Sequence, residues 1–137
     1  MSIQWPDSLN KKLVDDIIDA AFSEDIGKGD LTSQAVIPTK TTFTGIMSAR
    51  EEMVCAGLPI ACQVFKRYSN QIVWKTCAND GDKVSAGDIL AEIKGPAIYL
   101  LTAERTAINI LQHLSGIATL TRRYVDQISD LDTILLD

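Results

Sequence analysis

Between residues 7 and 22 apolar side chains recur every three or four positions, at Leu13, Val14, Ile17, Ile18, Ala21 and Phe22, with polar residues between them. That spacing lays an apolar stripe along one side of a helix, and Asp7 or Ser8 is placed to cap its first free backbone N–H groups. The stripe gives way at residues 24–30, where Gly27 and Gly29 stand among charges and predict a loop. From residue 41 to 56 the period falls to two. Phe43, Gly45, Met47 and Ala49 take one side of a strand and Thr44, Ile46 and Ser48 the other. Gly57 and Pro59 end that pattern. Residues 58–68 return to helical spacing through Ile60, Val64, Phe65 and Tyr68, and residues 71–77, with Ile72, Val73 and Trp74, read as strand.

Residues 80–96 carry glycines at turn positions between short apolar runs, as in tightly turned β segments. After Gly95-Pro96 the period lengthens again. Leu100, Leu101, Ile108, Leu111 and Leu114 predict a long helix, Ser115-Gly116 is its weak point, and Ile117, Leu120, Tyr124, Val125 and Ile128 carry the period onward. The final run Thr133-Ile134-Leu135-Leu136-Asp137 has the composition of a buried strand but no following turn or partner, and reads as cut.

Composition narrows the class. In 137 residues, 46% hydrophobic, there is material for one domain with a real core, so disorder is not expected. No apolar run approaches the roughly 20 residues that span a bilayer, and the start Met1-Ser2-Ile3-Gln4-Trp5-Pro6 lacks the layout of a signal peptide, so a cytoplasmic protein is expected. A formal charge of −5 argues against a nucleic-acid or anionic-membrane surface. An anionic ligand would need a local basic pocket. Cys55, Cys62 and Cys77 form no Cys-x-x-Cys pair, so they read as core or half-buried thiols, not as a disulfide framework or zinc site.

Candidate chemistry concentrates on the long helix. Glu104 and Arg105, followed by Asn109, Gln112 and His113, lie on roughly one polar side, a row able to offer hydrogen bonds to a ligand. The same spacing also describes an ordinary solvated helix face. Arg105 keeps the functional option open, because a guanidinium donates bidentately to carboxylate or phosphate. His113, the single histidine, has no recognisable catalytic partner. Asp15-Asp16 sits mid-helix with no glycine or threonine loop after it, and the 24–30 loop has neither EF-hand spacing nor a P-loop ending. No nucleophile-elbow, Cys/His or zinc pattern is present.

Several blocks taken together resemble a known family. They are Glu24-Asp25-Ile26-Gly27-Lys28-Gly29-Asp30-Leu31-Thr32, Ala56-Gly57-Leu58, Asp80-Gly81-Asp82, Gly87-Asp88-Ile89-Leu90 and, above all, the run from Glu104-Arg105-Thr106 to Ser115-Gly116-Ile117-Ala118-Thr119. In order and spacing they resemble quinolinate phosphoribosyltransferase. The resemblance implies an α+β fold, an α/β-hammerhead (open α/β sandwich) over residues 1–115, with residues 116–137 as the truncated start of an irregular α/β barrel. It implies conversion of quinolinate and phosphoribosyl diphosphate, with Mg2+, to nicotinate mononucleotide, CO2 and diphosphate in NAD biosynthesis. It also implies a homodimer in which Arg105 contacts quinolinate in the neighbouring subunit, with Glu104, Asn109 and His113 as supporting residues. His113 departs from many members, which carry arginine there. The family's Thr-Arg-Lys-Thr segment and acidic metal-binding residues do not occur, so no catalytic residue is expected in this chain and it is expected to be inactive alone.

Three other readings share parts of the pattern. The glycine spacing of residues 80–95 also occurs in biotinyl and lipoyl carriers, which need a lysine at a hairpin tip, whereas this stretch offers Lys83 and Lys94. A nicotinate phosphoribosyltransferase or molybdenum-associated homologue would share the architecture. The last is a freestanding interaction domain.

Overall fold

The structure, a computed structural model, describes residues 9–26 and 41–133, with the backbone alone for 24–26. Its elements in order are α1 (Lys11–Ile26), β1 (Thr42–Ser48), β2 (Met53–Val54), α2 (Leu58–Tyr68), β3 (Val73–Thr76), β4 (Lys83–Val84), β5 (Ile89–Pro96) and α3 (Ala97–Ile128). The described residues form a mixed helix-and-sheet fold and no closed barrel.

β5 is the centre of a three-stranded antiparallel sheet, flanked by β1 and β3. Alternation sorts its faces as the sequence pattern implies. Gly45 pairs with Ile93 and Ile93 with Trp74 on the side that meets the helices, while Ile46, Glu92 and Lys75 share the outer side. The outer side is open: Ile46 is 61% and Val73 63% exposed.

The strand expected over residues 41–56 is two strands. The register slips between Met47 and Ser48, and Ala49 then leaves β1's ladder to exchange backbone hydrogen bonds with Gly87 and Asp88, at 2.8 and 2.9 Å. The chain thereby crosses from the main sheet to the small β2–β4 pair. Two turns of one design bracket β4. In each, a glycine at φ 93° (Gly81, Gly87) precedes an aspartate, and the aspartate carboxylate accepts the N–H of the turn's first residue, Asn79 or Ser85, at 2.8 Å.

α1 begins at Asn10, whose Oδ1 accepts the N–H groups of Lys12 and Leu13 at 3.1 and 3.3 Å. The expected caps Asp7 and Ser8 lie outside the described residues, as do residues 27–30 of the loop, Leu31-Thr32 and the apolar run 134–137. Only part of the α1 stripe is used. Val14 and Ile18 are buried, while Leu13 and Ile17 are 57% and 55% exposed. Phe22 stacks on Tyr68 with ring centroids 4.1 Å apart, and Asp15 and Asp19 bond Gln63 and Arg67 of α2.

Val14 and Ile18 join Ala61, Val64 and Phe65 of α2, Ile93 of β5, and Leu100, Ala103 and Ala107 of α3 in one core cluster. A second cluster gathers Cys55, Leu58, Val84, Leu90 and Leu111 beneath the β2–β4 pair. Full burial of each such aliphatic side chain contributes about 1.5–3 kcal/mol, so both clusters matter. α3 spans both and runs 32 residues, passing Ser115-Gly116 unbroken, so the division expected between 115 and 116 falls inside one helix.

Cys55 and Cys62 are buried as expected, but Cys77 is exposed. Burial pushes the Cys55 thiol up to about 12, helped by the carboxylates of Asp80 and Asp82, and pushes Cys62 up to about 11 against the opposing pull of Lys66. One maleimide per chain is therefore expected in the native state, on Cys77, and three in denaturant; native labelling of Cys55 would contradict this packing. The two raised values also fix a pH trend. Because the unfolded thiols ionise near 9 and the folded ones near 11 and 12, their contribution to stability is complete below pH 9 and falls as pH rises through 11 to 12. The denaturation midpoint is expected to drop between pH 8.5 and 10.5, and the drop to shrink in Cys55→Ala.

Candidate functional site

α3 divides its residues by angle. At about 100° per residue, adjacent positions look in quite different directions. Ala103, Thr106, Ala107, Leu111 and Ser115 turn into the body and are buried. Glu104, Ile108 and Gln112, one turn apart, face the inner side of β1 and line an open groove of about 590 Å³. Phe43, Met47, Met53, Leu90 and Ile93 give the groove an apolar floor, and Arg50 and Glu51 stand at its end. Arg105, Asn109 and His113 form a separate exposed row on the outer side.

The polar row expected from the sequence is therefore two rows. Glu104 and Gln112 belong to the groove, whereas Arg105 with Asn109 and His113 faces solvent. Arg105 forms no ion pair or hydrogen bond among the described residues.

The motif residues around this row are mostly structural. Ser115, 1% exposed, accepts the Ala56 N–H at 3.0 Å and donates to the Ala56 carbonyl at 3.2 Å. Thr119 Oγ1 accepts the Val54 N–H at 2.9 Å and donates to the Ser115 carbonyl at 2.6 Å. Just beyond, Gly57 has no side chain to cap α2, and the cap comes from Asp80, whose two oxygens accept the N–H groups of Gly57 and Leu58 at 2.8 and 3.0 Å. A Cβ on Gly57 would lie 2.8 Å from Leu114 Cδ1, so the absent side chain lets α3 approach. Three separated motifs thus converge on one node, which no helical or strand period announces. The specificity of the Ser-Gly-Ile-Ala-Thr block was the available signal, though not its reason.

Among the described residues no group of three or more His, Cys, Asp or Glu side chains is arranged to hold a metal ion. No described helix is long and apolar enough to cross a membrane.

Residues 30–115 match the quinolinate phosphoribosyl transferase N-terminal domain. This chain belongs to the quinolinate phosphoribosyl transferase family. A probable nicotinate-nucleotide pyrophosphorylase [carboxylating] of Synechocystis is 35% identical over 125 residues, which cover 91% of this chain and 42% of that protein. Its Bacillus subtilis counterpart is 39% identical over 109 residues, 80% of this chain and 37% of that one. The crystal structure of NadC from Streptococcus pyogenes superposes with a TM-score of 0.86 at 34% identity, covering 92% of this chain and 45% of that chain. The chain thus spans less than half the length of these relatives.

Within the quinolinate phosphoribosyl transferase family, the lysines invoked for a carrier module find other uses. Lys83 pairs with Glu52 at 3.1 Å, and Lys94 sits mid-strand in β5, opposite Thr44 and Val73. Neither occupies a hairpin tip.

Proposed function

We propose that this chain is the N-terminal part of a quinolinate phosphoribosyltransferase, which joins quinolinate to phosphoribosyl diphosphate and releases CO2 and diphosphate to give nicotinate mononucleotide for NAD biosynthesis. In this reading the fold is an α/β-hammerhead over residues 1–115, residues 116–137 lead toward a barrel, and the enzyme is a cytoplasmic homodimer. Arg105 is the substrate-binding residue, offered to quinolinate in the neighbouring subunit, with Glu104, Asn109 and His113 in support.

The observation that carries this reading is the state of Arg105. In its motif Ser115 and Thr119 are committed to backbone bonds and Thr106, Ala107 and Leu111 to the interior, whereas this cation stands exposed on the outer row without a partner among the described residues. An exposed guanidinium on a rigid helix keeps its planar fork available to a ring carboxylate. Glu104 looks toward the groove, so its supporting role would be to shape the apolar slot and not to touch the same ligand atoms.

The chemistry needs cations to hold two carboxylates and a diphosphate, which Arg105 cannot supply alone. Magnesium, in this proposal, comes with phosphoribosyl diphosphate and is held by residues other than those described. The 137-residue chain by itself is therefore expected to show no formation of nicotinate mononucleotide, whereas a protein of the relatives' full length carrying this segment should form it from quinolinate and phosphoribosyl diphosphate. Turnover by the short chain, or none by the long one, would overturn the proposal.

A further inference from the structure

The node on α3 has a mechanical side. Ser115-Gly116 lies within a 32-residue helix, and no residue from 116 to 133 is buried. Gly116 has nothing within 4 Å of where a Cβ would sit, so its lack of a side chain serves no close approach. A glycine inside a helix weakens it, and Gly/Ser pairs are among the sites where helices kink. Both features coincide at Ser115-Gly116.

Against this tendency, both hydroxyls that flank Gly116 are tied to the neighbouring backbone. Ser115 bonds both polar groups of Ala56, and Thr119 holds the Val54 N–H at 2.9 Å. The ties lie one turn apart, one before the glycine and one after it. They span the weak point as a brace spans a joint.

We propose that Ser115-Gly116 is a hinge in α3 and that the Ser115 and Thr119 hydroxyls, seated on the Val54–Ala56 backbone, are the latch that keeps it from bending. Thr119 is then a positioning residue that aims the exposed half of the helix relative to the body.

The test uses two spin labels, one on the exposed native Cys77 and one on Gln127→Cys at an exposed position. From Gly116 to Gln127 the arm is about 16 Å, so a bend of about 20° moves its end by about 6 Å. The unaltered latch should give a narrow distance distribution. Thr119→Val, nearly isosteric but without the hydroxyl, should broaden it and move its centre by up to about 6 Å. Thr119→Ser should restore the narrow form, and so should Gly116→Ala added to Thr119→Val, since alanine stiffens the joint. A Thr119→Val distribution like that of the parent overturns the latch, and a double variant as broad as Thr119→Val overturns the hinge. Should Thr119→Val not fold, hydrogen exchange on the parent and Gly116→Ala decides. Amides 117–121 should exchange roughly fivefold more slowly in the alanine variant, with those of 103–111 unchanged, and equal rates would overturn the hinge.

Discussion

Replacing Arg105 by alanine in a protein of the relatives' full length is expected to weaken quinolinate binding roughly 30- to 700-fold, from a lost contact worth about 2 to 4 kcal/mol. The loss is large because a substrate carboxylate taken out of water is left without its charge-assisted donors. Folding should survive, since Arg105 is exposed and holds nothing among the described residues. Lysine should recover only part of the affinity, because an ammonium cannot reproduce the planar fork. If the site is shared between subunits, mixing Arg105→Ala chains with chains disabled elsewhere should regain activity in the mixed dimer, where one composite site is intact. Wild-type affinity and turnover in the alanine variant would return Arg105 to the status of a solvated helix residue.

Gly57→Ala is expected to destabilise the fold by about 3 kcal/mol, adding about 1–2 kcal/mol for a side chain in left-handed backbone to about 1–3 kcal/mol for overpacking. Gly57 holds φ 101°, and the new Cβ would stand 2.8 Å from Leu114 Cδ1. Leu114 can yield somewhat, but any retreat loosens α3 from the corner where Ser115 binds Ala56. Against the 5–15 kcal/mol that holds a typical domain, this is a large fraction. Gly116→Ala is the matched control: its Cβ enters open space, and the helix should gain up to about 1 kcal/mol. Denaturant midpoints check both. An unshifted Gly57→Ala midpoint would mean that α3 does not depend on this close approach.

Much of the fold is legible in local pattern. α2 spans residues 58–68 as its spacing predicts, because Gly57 and Pro59 punctuate its start and Val64 and Phe65 carry its buried side. The inward and outward faces of β1 also follow from alternation. What pattern could not show is how far an element extends in space before its partner changes. A single alternating run over 41–56 hides the slip at Met47/Ser48, since a bulge keeps residue types and alters only register. The apolar stripe of α1 is wider than the surface available to cover it, so Leu13 and Ile17 are left outside.

The candidate site was half legible for a similar reason. Glu104 and Arg105 are neighbours in sequence but about 100° apart on the helix, and which of them meets the groove depends on where β1 lies. Arg105 is singled out by chemistry and by family resemblance, and the structure adds that nothing described competes for it. The roles of Asp80, Ser115 and Thr119 are non-local, joining backbone groups to side chains far along the chain. Asp80 reads in sequence as a turn residue, and only the folded chain reveals it as the cap of a helix 22 residues earlier.

The node on α3 also constrains the order in which the chain assembles. Its bonds close loops of quite different size: Asp80 reaches back 22 and 23 residues to Leu58 and Gly57, whereas Ser115 and Thr119 reach back 59 and 65 to Ala56 and Val54. Loop-closure entropy makes the longest of these about 1 kcal/mol harder to close than the shortest. An arch of β2, α2 and β4, pinned by Asp80, is thus the cheaper early structure, and α3 docks onto a corner already shaped to receive it. A chain emerging from the ribosome meets these requirements in the same order, since the residues of the arch are synthesised before Ser115 and Thr119 exist to fasten it.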